Sequence, residues 1–323
     1  MMQPNGSKTR KHEHPTAARG SFSVTSVPLP HSAEQDERMF NSFQACGYIG
    51  LAFAIALAMA LVRHQDLSYW LMIIIILTAV LTFLGLSVWS EFRTGRPRLI
   101  YYRYLLAVMG SVAALLFSLR YPLLPYLDIT ILGIGLFAVF GRIGCLLIGC
   151  CHGRPCKWGV RYHKGRAAPD FSEHLFGIRL FPIQAVESFW VFAVVLIGAM
   201  QVIGGRPSGS ALSTYIVAYA LGRFCFEFLR GDTRRHYFRG FSEAQWTSLL
   251  LTAAVVIAEW NGALPASSWH SLAAACLILL CATSVFSVSL WSLWRKTTTE
   301  TQSTQRLHRE FQIQGTTEIW KRY

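Results

Sequence analysis

Charged side chains are scarce in this chain. Asp, Glu, Lys and Arg together make up 15% of its 323 residues, where a soluble domain carries about a quarter. Acidic residues are scarcest, 17 against 30 Lys and Arg, for a formal net charge of +13. That shortage excludes a large soluble domain. The positive balance does not amount to a nucleic-acid site either, because the basic residues are spread over both ends and several loops, with no compact basic fold to host a duplex. Attraction to anionic lipid headgroups accounts for them more simply, at about 1 kcal/mol per Lys or Arg near the surface. No apolar core of the secretory-signal kind precedes Ser42. No internal repeat is visible, and no standard zinc-ligand spacing occurs.

Apolar residues are abundant. They form 53% of the chain, and mean hydropathy is +0.36. Eight runs approach the roughly 20 residues needed to cross the hydrocarbon core: Ser42–Val62, Leu67–Ser90, Leu99–Leu119, Leu123–Ile148, Pro182–Gly204, Ser208–Leu229, Glu243–Trp260 and Ser271–Trp294. Short connections join them, which predicts an all-α fold, a polytopic transmembrane helical bundle. Residues 1–41, rich in Ser, Pro, His and charge, read as a disordered basic tail. A membrane domain is expected over 42–260, an extra C-terminal transmembrane helix over 261–296, and a polar tail over 297–323. With eight spans, the tails and the loops after the second, fourth and sixth carry nearly all the Lys and Arg, which by charge alone places both tails in the cytoplasm.

Ionisable residues inside such runs are costly and mark sites. Arg223, Glu227 and Arg230 fall at i, i+4 and i+7 in the sixth run, on one face of a helix. A carboxylate between two guanidinium groups neutralises one of them, and the other charge suits an anion arriving from the bilayer, such as a phospholipid phosphate. Arg142, in the fourth run, adds a third guanidinium. The structural alternatives are a salt bridge that locks two helices and an Arg142 that snorkels to the interface.

Four of the eight cysteines, Cys145, Cys150, Cys151 and Cys156, cluster around His152 in the segment from Gly141 to Cys156. Three readings remain open. Small polarizable packing thiols come first, a disulfide or redox pair second, and a metal last. C-x4-C-C-H-x3-C is not a standard zinc pattern, and adjacent cysteines seldom ligate together. No metal or other cofactor is assigned.

Four motifs in order resemble the bacterial prolipoprotein diacylglyceryl transferase family, from about residue 43 to 260. Gly141-Arg-Ile-Gly, with Gly149 to Pro155 and then Trp158-Gly-Val, is similar to the family's Gly-Arg-Ile-Gly and Gly-Arg-Pro continuation. Phe181-Pro-Ile-Gln-Ala-Val-Glu187 resembles His-Pro-x-Gln-x-x-Glu. Gly222 to Asp232 resembles Arg-x-x-x-Glu-x-x-Arg-x-x-Asp, and Ser242-Glu-Ala-Gln245 resembles Ser-x-x-Gln at the start of the last family helix. The resemblance implies seven family-like spans in a bacterial inner membrane. It also implies transfer of a diacylglyceryl group from phosphatidylglycerol to the lipobox cysteine of a prolipoprotein. Arg142, Arg223 and Glu227 would then be catalytic, and Arg230, Asp232, Gln184, Glu187 and Arg154 would bind lipid. It places the arginine–glutamate loop, and with it the N-terminus, on the extracytoplasmic side, opposite to the charge count.

Departures from the family pattern are specific. Leu105 to Gly110 stands where the family has His-Gly-Gly, Phe181 replaces a histidine, Cys145 replaces an asparagine, and no arginine lies near Phe83. An imidazole is a natural base for an incoming thiol, so His152 and His163 become the candidates to replace it. Two other functions follow from the same residues: an anionic-phospholipid-binding relative without transfer, and a thiol-redox membrane protein using Cys150 and Cys151.

Overall fold

The computed structural model describes residues 31–94, 101–164, 167–168, 171–231 and 237–283. Asp232 and the stretch beyond Thr283 lie outside them. Eight helices account for most of the described chain: α1 (His31–His64), α2 (Tyr69–Thr94), α3 (Tyr101–Ser118), α4 (Leu123–Ile148), α5 (Ile183–Ile203), α6 (Ser210–Glu227), α7 (Glu243–Trp260) and α8 (Ser268–Thr283). The chain is an all-α membrane bundle. Within the described residues, four segments are long and apolar enough to cross a membrane: Ser42–His64, Tyr69–Arg93, Leu123–Ile148 and Ile183–Ile203. The helices over the other four runs are shorter or more polar. α1 reaches back to His31, into the segment expected to be tail.

The α4 helix is the axis of the bundle and packs against α1, α3, α5 and α6. Its inward residues include Tyr126, Ile129, Ile131, Leu132 and Val139, all buried in one apolar core with Val191, Val195 and Tyr215. Small residues let the helices approach, as expected where lipid supplies no hydrophobic drive between them. Gly222 of α6 lies under the Trp190 indole of α5, and that indole N–H donates to the Ala218 carbonyl at 3.0 Å.

The helix ends show how local sequence sets the frame. α4 and α5 start directly after Pro122 and Pro182, where a missing N–H costs nothing. Asp128, in the second turn of α4, accepts from the backbone N–H of Gly209 at 2.6 Å and of Leu212 at 2.7 Å, and so caps the start of α6. Ser242-Glu-Ala-Gln245 is a capping box. The Ser242 hydroxyl accepts from the Gln245 backbone N–H, and the Gln245 side-chain oxygen Oε1 accepts from the Ser242 backbone N–H. The Gln245 amide also donates to the Phe224 carbonyl, which ties α7 to α6. His270 of α8 pairs with Glu259 of α7.

Two short antiparallel pairs interrupt the helices, β1 (Pro155–Arg161) with β2 (Arg179–Leu180), and β3 (Tyr237–Phe238) with β4 (Phe241–Ser242). They sit at one end of the bundle, the end that holds the charged residues.

Candidate functional site

The cluster forms where the C-terminal parts of α4 and α6 flank the N-terminal part of α5. Helix dipoles favour this placement, with cations near C-termini and a carboxylate near an N-terminus. Glu187, on the second turn of α5, is the hub. Its Oε2 forms an ion pair with Arg142, 2.8 Å from Nε. Its Oε1 accepts from Arg223 at 3.4 Å and from Arg230 at 3.2 Å. Arg223 also pairs with Glu227 one turn on, at 2.8 Å. The Glu187 side chain is only 4% exposed, so these charges meet in a low dielectric, where removing one partner of such a network costs about 3–5 kcal/mol.

The sequence expectation placed Glu227 between Arg223 and Arg230 on one helical face. The Arg223–Glu227 half is present. Arg230 lies elsewhere, because α6 ends at Glu227. From the turn beyond it, Arg230 reaches Glu187. The carboxylate read as a headgroup ligand is therefore the one that gathers the arginines. Among the described residues, three guanidinium groups face two carboxylates, a count of one positive charge in excess.

The loop after α4 is sewn into this end by backbone bonds. Gly153 N–H donates to the Phe181 carbonyl, Arg154 N–H to Leu229, Phe181 N–H to Arg154, and Gly231 N–H to His152, all at 3.0–3.1 Å. Gly153 and Gly231 are needed for that close approach. A Cβ on Gly153 would lie 2.6 Å from the Phe181 oxygen, and one on Gly231 would lie 2.5 Å from the Gly153 oxygen. These are the glycines of the Gly-Arg-Pro and Arg-Gly-Asp sequences. The exposed Arg154 donates from Nε to the Arg230 carbonyl at 3.4 Å. Gln184 is buried, and its amide donates to the Cys150 carbonyl at 2.7 Å, so it anchors the cysteine loop.

Of the four clustered cysteines, three come together. The sulfurs of Cys145, Cys150 and Cys151 all lie within 4.8 Å of one another. Cys156 turns away and donates to the Trp158 carbonyl. Hydrogen bonds from Cys145 and Cys150, aided by the charges of Arg230 and Arg142, hold the Cys151 thiol well below its usual range against the effect of burial. The Cys150 thiol moves the opposite way, raised by its hydrogen bonds to Cys145 and Cys151.

Neither histidine candidate lines the cluster's cavity. His152 is buried, with Nδ1 3.0 Å from the Gly153 carbonyl and its ring packed on Phe171. His163 is exposed. The cavity holds about 10 Å³ and is lined by Arg142, Glu187, Trp190, Val191, Tyr219, Arg223 and Phe226, room for about one water molecule. Tyr219 and Trp190 escaped the sequence reading, although their positions carried a signal: Tyr219 is one turn before Arg223, and Trp190 is three residues after Glu187. Beside this cavity, α4 and α5 frame a wider apolar groove of about 280 Å³, lined by Val139, Ile143, Leu146, Ala185, Ser188, Phe189 and Phe192.

Residues 105–260 match the family described as prolipoprotein diacylglyceryl transferase, which bears out the resemblance over that segment. A phosphatidylglycerol–prolipoprotein diacylglyceryl transferase of Clostridium tetani is 33% identical over 129 residues, covering 39% of this chain and 49% of the relative. One of Clostridium perfringens is 35% identical over 127 residues, covering 39% and 48%. A third, from Trichormus variabilis, is 28% identical over 182 residues, covering 52% and 64%. The chain thus spans about half the length of the first two relatives. No solved structure matches it.

Proposed function

We propose that this chain, similar to the prolipoprotein diacylglyceryl transferase family over residues 105–260, is a membrane transferase of that kind in a bacterial inner membrane. It moves a diacylglyceryl group from phosphatidylglycerol to the lipobox cysteine thiol of a prolipoprotein. The observation that carries this reading is the largely buried cluster of Arg142, Arg223 and Arg230 around Glu187, with one positive charge in excess among the described residues, next to an apolar groove between α4 and α5.

The reaction displaces a phosphate ester. The thiol gives up its proton to solvent, its sulfur bonds to the glycerol carbon, the bond from that carbon to the phosphate oxygen breaks, and glycerol phosphate leaves with the electron pair. Negative charge grows on the leaving oxygen. Fixed guanidinium groups aimed at it stabilise the transition state more than the ground state. Arg142 and Arg223 line the cavity and serve as the clamp. Glu187 and Glu227 hold their planes in place before lipid arrives, so little reorganisation is needed. Arg230, Gln184, Arg154 and Asp232 order the headgroup end. An acyl chain fits the groove lined by Ile143, Leu146 and Phe189.

A second reading is supported by the absence of imidazole among the residues that line the cavity. In it, the protein binds anionic phospholipid without transferring it. One experiment separates the two. Purified protein is incubated with phosphatidylglycerol and a lipobox peptide, with Arg223→Ala alongside, and the peptide is weighed by mass spectrometry. A diacylglyceryl adduct that disappears in the variant is the expected result. No adduct, with phospholipid retained by the wild type and lost from the variant, would leave only the binding reading.

A further inference from the structure

The transferase chemistry needs a thiolate, and Phe181 stands where the family has a histidine. Close to the arginines lies a group of three sulfurs that the reaction, as described above, does not use. We propose that Cys145, Cys150 and Cys151 form a binding site for a thiophilic divalent cation of the zinc class, whose fourth position takes the acceptor thiol. The second half of this proposal rests on the transferase reading; the cation site does not.

Geometry supports the donor set. All three sulfurs lie within 4.8 Å of one another. Zinc–thiolate bonds of about 2.3 Å in tetrahedral array place sulfurs about 3.8 Å apart, so rotamer shifts of a fraction of an ångström to one ångström close the site. Neighbouring cysteines on an extended chain point to opposite sides, which is why Cys150 and Cys151 looked unpromising as joint ligands. Here the backbone departs from that rule. Gly149 has φ +74° and Cys151 has φ +56°, a left-handed turn that a non-glycine residue seldom adopts and that brings both sulfurs to Cys145. A side chain at Gly149 would also strike the Tyr162 ring at 2.8 Å. Strain of this kind persists where the surroundings hold it and often marks a site. The Cys150 carbonyl is pinned by the buried Gln184 amide at 2.7 Å, an outer contact of the sort that orients metal ligands.

The number of donors is also informative. Structural zinc sites use four protein ligands, whereas reactive ones keep a position open. The two nearby residues able to complete a closed site are turned elsewhere, Cys156 to the Trp158 carbonyl and His152 to Phe171 and the Gly153 carbonyl. A dication with three thiolates carries one net negative charge, matched by the excess positive charge of the adjacent arginine cluster. An acceptor thiol that binds the fourth position loses its proton to water and becomes the thiolate that attacks the glycerol carbon. The cation thereby takes over the task of the absent imidazole.

The test uses full-length protein in detergent, treated with chelator, and titrated with Co²⁺ as a spectroscopic substitute for Zn²⁺. The wild type is expected to bind one Co²⁺ per chain with sulfur-to-cobalt charge-transfer absorption. Cys151→Ser and Cys150→Ser should weaken binding by at least about tenfold while retaining helical circular dichroism, and Cys276→Ser on α8 should bind as the wild type does. No stoichiometric binding, equal binding by the variants, or a disulfide among the three cysteines in unreduced protein would overturn the cation site. Transfer to the lipobox peptide at an undiminished rate in chelator would overturn the role of the fourth position and leave the transferase intact. Cobalt binding without transfer by any metal-loaded form would overturn the transferase reading, and with it the role of the fourth position, and leave the cation site.

Discussion

Two charged groups on α4, Asp128 buried and Arg142 largely so, show how a membrane helix can carry charge for different ends. Asp128, near the helix start, is answered completely by its neighbours. Its two oxygens take the N–H groups of Gly209 and Leu212, and the N-terminal dipole of α6 offsets its charge. Arg142, near the other end, joins a network in which three guanidinium groups share two carboxylates, and a cavity and an apolar groove open beside it. A buried charge that is locally balanced holds helices together. One that belongs to an unbalanced cluster is fit to meet a ligand.

The largest expected effect tests the hub of that cluster. Glu187→Gln leaves three guanidinium groups facing Glu227 alone. Thermal unfolding in detergent should show a loss of about 3–5 kcal/mol, together with loss of transfer to the lipobox peptide. A variant that unfolds like the wild type would mean that Glu187 is not the centre of the network. Next, Arg142→Lys keeps the charge but loses the planar fork. At least a tenfold fall in transfer rate is expected, with little change in unfolding temperature. Asp128→Ala should show the opposite pattern. Loss of the α6 cap costs about 1–2 kcal/mol and lowers the unfolding temperature, while the reaction rate at low temperature stays close to normal. If Asp128→Ala abolishes transfer in folded protein, the contrast between the two ends fails.

Smaller effects sharpen the comparison. Gly153→Ala should reduce transfer, because its Cβ would push the loop off Phe181 and Leu229. Gly110→Ala, where nothing lies within 4 Å, should be neutral or stabilise α3 by up to about 1 kcal/mol. Finally, in metal-free protein the Cys151 thiol is held below its usual range by its hydrogen bonds to Cys145 and Cys150 and by the nearby arginines. Its rate of alkylation by iodoacetamide should level off at a lower pH than that of an ordinary cysteine, which titrates near about 8.5, whereas a rate that levels off only above that pH would contradict the lowered thiol.

Much of the molecule could be read from its residues, and the reasons differ by element. Long apolar runs located the helices because a bilayer admits few alternatives. Ser242 and Gln245 could be noticed as a motif, but only the fold showed that they form a capping box. Arg223 and Glu227 were found together because a turn of helix joins them. Arg230 was placed on the same face by the same logic, and that failed because α6 stops at Glu227.

The sequence by itself determined the apolar spans, the arginines and carboxylates placed within or beside them at a cost, and the order of the motifs. These depend on composition and on spacing along one helix. The tertiary structure alone decided that Glu187 gathers Arg142, Arg223 and Arg230, that Gly153 and Gly231 draw two distant loops together, and that three of four cysteines share one place. Each of these contacts joins side chains or backbone far apart in the chain or turned by a left-handed residue, and no periodicity along a single helix encodes such a meeting.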